Sequence, residues 1–115
     1  MKTNVKTIQT IEPKGLLKKL NSNEHFILIY TLDKEAYKAK HIPGSINIPI
    51  EDIDIVENII PDKNEEIIVY CANSDCKSSR KAVKKMIEMG YTNVIDFEKG
   101  LAGWRLAGYK LTGEG

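Results

Sequence analysis

The sequence predicts an α/β protein with a mainly parallel sheet of about five strands and helices on both faces. Two observations predict this fold class. Short runs of consecutive apolar residues, typical of strands buried on both faces, alternate along the chain with segments of helical periodicity. A helical segment follows most of these runs, and parallel strands need such crossover connections. We treat residues 1–115 as a single domain, because that length fits one hydrophobic core.

The first predicted elements are a strand over residues 5–11 and a helix over residues 13–21. The strand segment alternates loosely between apolar and polar residues. Pro13 suits the first turn of a helix, because its missing N–H costs little there. The three leucines that follow it then share one face of the helix.

The next segments predict a second strand, two further helices and a brief third strand. Residues 25–31 read HFILIYT, a near-continuous apolar run that indicates a buried strand. The segment LDKEAYKAK predicts a short helix with Asp33 as its N-cap. Two prolines and a glycine then mark a turn into a brief strand over residues 45–48. Residues 51–60 place apolar side chains at helical spacing, and Pro61 ends that helix.

The second half of the chain predicts two more strands and two more helices. Residues 65–71, EEIIVYC, form the second buried-strand candidate. An amphipathic helix over residues 78–90 follows, with Gly90 as its C-terminal cap. Residues 93–97, NVIDF, are the last strand, and residues 100–109 are a short closing helix or turn.

Composition excludes several classes of function. The formal net charge is +1, so no overall field favours nucleic acid or an anionic membrane. The apolar runs are far shorter than the roughly 18 residues that span a bilayer, and the N-terminus lacks the apolar core of a signal peptide. We therefore expect a cytoplasmic protein with reduced thiols, without a cofactor, and with no membrane or nucleic-acid partner.

Cys71 is the residue with the clearest chemical potential. It ends a buried strand, at the edge of a parallel sheet where ligands bind. If the following loop curls over the sulfur, its amides and the first turn of the next helix favour a thiolate, and Lys77 and Arg80 add positive charge. We then expect a lowered Cys71 pKa and a nucleophilic sulfur, with Asp75 facing solvent. The alternative is a small residue that merely ends a strand.

Cys76 has three interpretations: an inert loop residue, a resolving thiol for Cys71, or a metal ligand. Five positions apart in a curled loop, the two sulfurs could approach each other. A metal site is disfavoured, because His25 and His41 lie far away in sequence and no zinc pattern is matched. His41 better fits a structural histidine bonded to backbone, and Tyr30 at the end of its strand better fits packing.

Two longer segments resemble the rhodanese family. The first, EAYKAKHIPGSINIPIEDI, is similar to the entry segment of rhodanese domains, with its His-Ile-Pro-Gly and Asn-Ile-Pro. The second is IIVYC, a polar loop, and then AVKKMIEMGYTNVIDFEKGLAGWRLAGYKL, which is similar to the family's second half. The resemblance covers roughly residues 26–111 and implies a rhodanese-like, five-stranded parallel sheet with sulfurtransferase chemistry.

The resemblance also implies a role for each part of the loop. Cys71 falls on the family's catalytic cysteine, which takes sulfane sulfur from an anion such as thiosulfate or a polysulfide and holds it as a persulfide. The sulfur then passes to a thiophilic acceptor, which can be a small thiol or a protein. Cys76 is a candidate resolving thiol. The substrate-binding cradle implied by the resemblance comprises Ala72, Asn73, Ser74, Asp75, Cys76, Lys77 and Ser78.

The chain departs from the family pattern at several positions. Tyr30 and Leu32 stand where the family usually has an aspartate and an arginine, and Lys40 and Lys99 replace glycines. The cysteine loop is about two residues longer than usual. These departures leave open a non-catalytic binding or regulatory module. A cysteine-based phosphatase or arsenate reductase is disfavoured, because Arg80 lies too far after the loop cysteine.

Overall fold

The structure is a computed structural model that describes residues 8–114. Its sheet has five strands in this range, all paired in parallel, in the order β1-β5-β4-β2-β3. The strands are β1 (Gln9–Thr10), β2 (Ile27–Tyr30), β3 (Ile46–Asn47), β4 (Ile67–Tyr70) and β5 (Val94–Phe97). The predicted parallel α/β fold is therefore confirmed. Of the strand predicted over residues 5–11, residues 5–7 lie outside the described range.

Five α-helices connect these strands or close the described chain. They are α1 (Pro13–Leu20), α2 (Lys34–Ala39), α3 (Val56–Ile59), α4 (Ser78–Glu88) and α5 (Gly100–Leu106). The predicted N-cap is confirmed, because the Asp33 carboxylate accepts a hydrogen bond of 2.8 Å from the Ala36 amide. Gly90, at φ 104°, ends the turn after α4 as predicted.

The helix predicted over residues 51–60 is the main difference in secondary structure. The chain forms a 3₁₀ helix over Ile50–Ile55 and then only the single α-helical turn of α3. Many of the residues in this segment are β-branched, and such side chains lose rotamer freedom in an α-helix. Burial of Ile53 and Val56 against the sheet therefore holds the segment in place more than helical propensity does.

Two hydrophobic clusters cover the two faces of the sheet. In β4, Ile67 and Val69 belong to the cluster that contains the buried face of α4, whereas Ile68 and Tyr70 belong to the cluster that contains Leu16 of α1 and Trp104 of α5. Successive strand side chains point to opposite faces, so every residue of β4 is buried. No helix in residues 8–114 is long and apolar enough to cross a membrane.

Candidate active site

Cys71 lies immediately after β4, the middle strand of the sheet, and its side chain is buried, with an exposed fraction of 1%. Its carbonyl oxygen accepts a hydrogen bond of 2.8 Å from the Leu101 amide. The carbonyl of Ala72 accepts another of 2.8 Å from the Ala102 amide. The first turn of α5 thus fixes the start of the loop that joins β4 to α4, and both carbonyls are occupied there.

Gly100 makes this close approach possible. Its φ is +63°, a left-handed conformation that side chains rarely adopt, and a Cβ built there would lie 2.4 Å from the Cys71 carbonyl oxygen. Any larger residue would therefore push α5 away from the cysteine loop.

The middle of the loop is folded by Asn73. Its side-chain oxygen accepts hydrogen bonds from the amides of Asp75, at 3.0 Å, and Cys76, at 3.1 Å. Its backbone carbonyl also accepts from the Cys76 amide at 3.1 Å. This Asx-type turn closes the loop without a glycine, because the asparagine side chain replaces a backbone partner.

A disulfide joins Cys71 and Cys76, whose Cα atoms are 6.3 Å apart. The expectation of reduced thiols is therefore wrong for this structure, in which neither cysteine is free. That expectation came from the redox state of the compartment, which describes most cysteines of a protein. Here the fold of one short loop brings two particular sulfurs together.

Some amides of the cysteine loop remain unpaired. In residues 8–114, the amides of Ala72, Asn73, Ser74 and Lys77 have no acceptor. Helix α4 begins directly afterwards, without a side-chain cap, so its first turn adds unpaired N–H groups and the positive end of its dipole. The amides of Asp75 and Cys76, by contrast, are occupied by Asn73 in this conformation.

A buried polar network beside the cysteine was not predicted. Ser79 Oγ lies 3.7 Å from Cys71 Sγ and donates a hydrogen bond of 2.8 Å to Asp96 Oδ1. Arg80 pairs with Asp96 through Nε at 3.4 Å and with Glu98 through Nη2 at 3.1 Å. The Asp96 side chain is 1% exposed, and this burial raises its pKa.

Arg80, which the sequence predicted to add positive charge near Cys71, belongs to this network instead. Arg80 is directed to the carboxylates of Asp96 and Glu98, so it is already partly neutralised. One signal could have revealed the network, namely an aspartate within the otherwise apolar strand β5. Asp96 pairs in register with Val69, two residues before Cys71 on the neighbouring strand.

The remaining predicted site residues lie along the outer side of the loop. Asp75 is exposed, as expected, and Asn73, Ser74 and Lys77 are exposed as well. A groove of about 430 Å³ borders the loop, and its lining residues include Asn73, Ser74, Lys99 and Leu106. In the described range, no group of three or more His, Cys, Asp and Glu residues is placed to hold a metal ion.

Comparison with known proteins identifies the family to which this loop belongs. The family model described as "Rhodanese-like domain" matches residues 12–107. The chain belongs to the rhodanese family. The rhodanese match includes β2 to β5, all five helices and the complete cysteine loop.

Relatives with assigned names include sulfurtransferases. The rhodanese-like chain is 36% identical over 72 residues to "Thiosulfate sulfurtransferase PspE" of Escherichia coli, which covers 62% of this chain and 65% of the relative. It is 33% identical over 101 residues to "Adenylyltransferase and sulfurtransferase UBA4" of Candida albicans, which covers 82% of this chain and 23% of the relative. The chain thus matches less than two thirds of the length of either relative.

A solved structure supports the same rhodanese fold. The crystal structure of the Alr3790 protein from Anabaena is 27% identical to this chain, with a TM-score of 0.82, covering 90% of this chain and 82% of that one. The parallel sheet flanked by helices is therefore that of rhodanese domains.

The structure also shows the surroundings of two further residues considered in the sequence analysis. Tyr30, at the family's aspartate position, is buried and stacks on Tyr70 with ring centroids 4.6 Å apart. His41 Nδ1 lies 2.6 Å from the Tyr37 carbonyl oxygen, as expected for a structural histidine. Tyr30 therefore packs within the core, and His41 is held by the backbone of Tyr37.

Proposed function

We propose that this rhodanese-like domain is a sulfurtransferase that carries sulfane sulfur as a persulfide on Cys71. The observation that carries the proposal is the position of this residue. Cys71 follows the central strand, at the start of a loop with unpaired amides, and its Sγ lies 3.7 Å from Ser79 Oγ in the first turn of α4. The named relatives that act as sulfurtransferases support the same assignment.

The reaction begins with the reduced site. The Cys71 thiolate attacks the outer sulfur of thiosulfate, the S–S bond of thiosulfate breaks, and sulfite leaves with the bonding electron pair. The persulfide anion that forms on Cys71 is stabilised by the free loop amides and by the α4 dipole. A thiophilic acceptor, such as a thiol or cyanide, then removes the outer sulfur and restores the Cys71 thiolate.

The amides suit this role because they serve any of the anions in the cycle. Thiosulfate, the persulfide and sulfite all carry negative charge beside the loop, and backbone donors do not change protonation state as the reaction proceeds. Lys77 is exposed on the same loop and adds a mobile positive charge at its outer edge.

Thiocyanate formation tests this proposal. The protein is reduced with a dithiol, desalted without oxygen, and mixed with thiosulfate and excess cyanide. In the initial rate, wild type should form thiocyanate faster than the protein-free reaction, whereas Cys71→Ser should fall to the rate of the protein-free reaction. Polysulfide provides a second donor, since the identity of the physiological donor is a separate question.

Equal rates for wild type and Cys71→Ser with both donors would refute the proposal. That result would favour a non-catalytic binding module built on the same fold. Turnover of an aryl phosphate or arsenate by the same preparation would instead assign the thiolate to phosphatase or reductase chemistry.

A further inference from the structure

We propose that Cys76 resolves the Cys71 persulfide, so that the domain releases its sulfur as sulfide and closes the Cys71–Cys76 disulfide. The inference rests on the proposed function and adds a second product and a second substrate class. The product is hydrogen sulfide, and the second substrate is a dithiol reductant that reopens the disulfide. The domain would then reduce sulfane sulfur as well as transfer it.

The position of Cys76 relative to Cys71 is the first argument. The two sulfurs are bonded in this fold, across a separation of five residues. Helix α5 holds the Cys71 end of the loop through the two carbonyl hydrogen bonds from Leu101 and Ala102. The loop can therefore bring Cys76 to the nucleophile without displacing β4 or α5.

The folding of the loop is the second argument. The Cys76 amide is held twice by Asn73, through the side-chain oxygen and through the backbone carbonyl, each at 3.1 Å. This restraint lowers the entropic cost of bringing Cys76 Sγ to Cys71 Sγ, which raises the effective concentration of the attacking thiol.

The resolving step balances without any further reagent. The Cys76 thiolate attacks Sγ of the Cys71 persulfide, the bond from that Sγ to the outer sulfur breaks, and the outer sulfur leaves as hydrosulfide. The outer sulfur gains two electrons, and the two cysteine sulfurs lose them by forming the disulfide. With a dithiol as reductant, thiosulfate and the dithiol give sulfite, hydrogen sulfide and the oxidised dithiol.

The exposure of the two cysteines determines how the disulfide reopens. Cys71 is buried, whereas Cys76 is only half-buried. An external thiolate therefore reaches Cys76 Sγ first and forms a mixed disulfide there, and Cys71 leaves as the thiolate. This order returns Cys71 directly to its reactive thiolate state, beside Ser79 in the first turn of α4.

A single-turnover experiment tests the inference. Reduced, desalted wild type and Cys76→Ser are each mixed anaerobically with excess thiosulfate, without any added thiol, and are followed by intact-mass spectrometry and a sulfide assay. Wild type should gain one sulfur transiently, then lose it, release about one equivalent of sulfide and end as the disulfide. Cys76→Ser should keep the added sulfur and release no sulfide.

The outcomes separate this inference from the proposed function. If wild type holds the added sulfur as stably as Cys76→Ser does, Cys76 is not a resolving thiol, although the sulfurtransferase proposal stands. If neither protein gains sulfur from thiosulfate or polysulfide at any time, the proposed function fails first. Wild type without thiosulfate is the control, and it must remain a dithiol throughout, because any oxygen-driven disulfide would imitate the product.

Discussion

At the scale of single residues, Asp96 is the least expected feature of the site. It is a buried carboxylate with one hydrogen bond, from Ser79, and its Oδ2 atom has no hydrogen-bond partner in residues 8–114. Arg80 Nε approaches Oδ2 to 3.4 Å, so the pair is an ion pair rather than a well-formed hydrogen bond. A buried, poorly satisfied charge reduces stability, and such groups concentrate at functional sites.

Replacement of Asp96 should change how stability depends on pH. Burial raises the pKa of Asp96, so the folded protein binds its proton more tightly than the unfolded chain does. The stability from this group is fully present below its unfolded pKa of about 3.9 and is lost as pH rises through the folded pKa. The measured quantity is the free energy of unfolding of wild type minus that of Asp96→Asn. This difference should be lower at neutral pH than at acidic pH, by on the order of 1 kcal/mol.

Urea unfolding of the oxidised proteins at several pH values between acid and neutral measures this difference. Glu98→Gln is the matched control, because Glu98 pairs with the same Arg80 but is exposed. Its unfolding free energy should stay within about 0.5 kcal/mol of wild type at every pH. A parallel pH dependence in wild type and Asp96→Asn would contradict the assigned cause.

At the scale of elements, the close contact between α5 and the cysteine loop is the most demanding feature. Gly100 permits this contact for two reasons: its backbone adopts a left-handed conformation, and it has no Cβ atom. The atoms nearest to a Cβ at position 100 belong to the backbone of Cys71, Ala72 and Asn73. Backbone atoms cannot move away by a simple bond rotation, as the end of a side chain could.

Gly100→Ala should therefore lower stability and disturb the loop together. We expect an unfolding free energy about 2–4 kcal/mol below wild type and a slower thiocyanate-forming rate. Gly108→Ala is the matched control, because Gly108 also has a positive φ, of +87°, but nothing lies within 4 Å of the added Cβ. It should cost only about 1 kcal/mol and leave the rate unchanged. Equal effects of both substitutions would show that the backbone conformation alone matters.

Much of this fold could be predicted because the order of apolar and polar residues within a short segment indicates which side chains are buried. The strand around residues 67–70 is apolar throughout, and α4 has one apolar stripe, so both were predicted within a few residues. The segment 50–59 was not, because its periodic apolar residues are compatible with a 3₁₀ helix as well as an α-helix. The sheet order depends on contacts between distant segments and was not predicted, since the family resemblance implied only five parallel strands flanked by helices.

The candidate site was less predictable than the fold. The sequence identified Cys71 and its loop, because a polar stretch with two cysteines between a strand and a helix is conspicuous. It did not reveal Asp96, since a lone aspartate in a strand does not show which face it occupies or what it meets. Nor did it reveal that Asn73 occupies two of the loop amides, which depends on the conformation of the loop itself.

At the scale of the whole molecule, the strand order places the site where several elements converge. β4 lies in the middle of the sheet between β5 and β2, so the carboxyl ends of three strands surround Cys71. The hydrogen bonds from α5 to the loop and the two hydrophobic clusters do not involve the disulfide. The fold should therefore persist when the disulfide opens.

Reduction should then lower global stability without unfolding the protein. The disulfide closes a short loop, and a loop of this size restricts the unfolded chain by about 2 kcal/mol. Urea unfolding with and without a dithiol should differ by roughly that amount in wild type. The double variant Cys71→Ser/Cys76→Ser should match reduced wild type and be insensitive to the dithiol. A dithiol that unfolds the wild-type domain outright would mean that the disulfide is a structural staple, and a redox cycle at this loop would then be untenable.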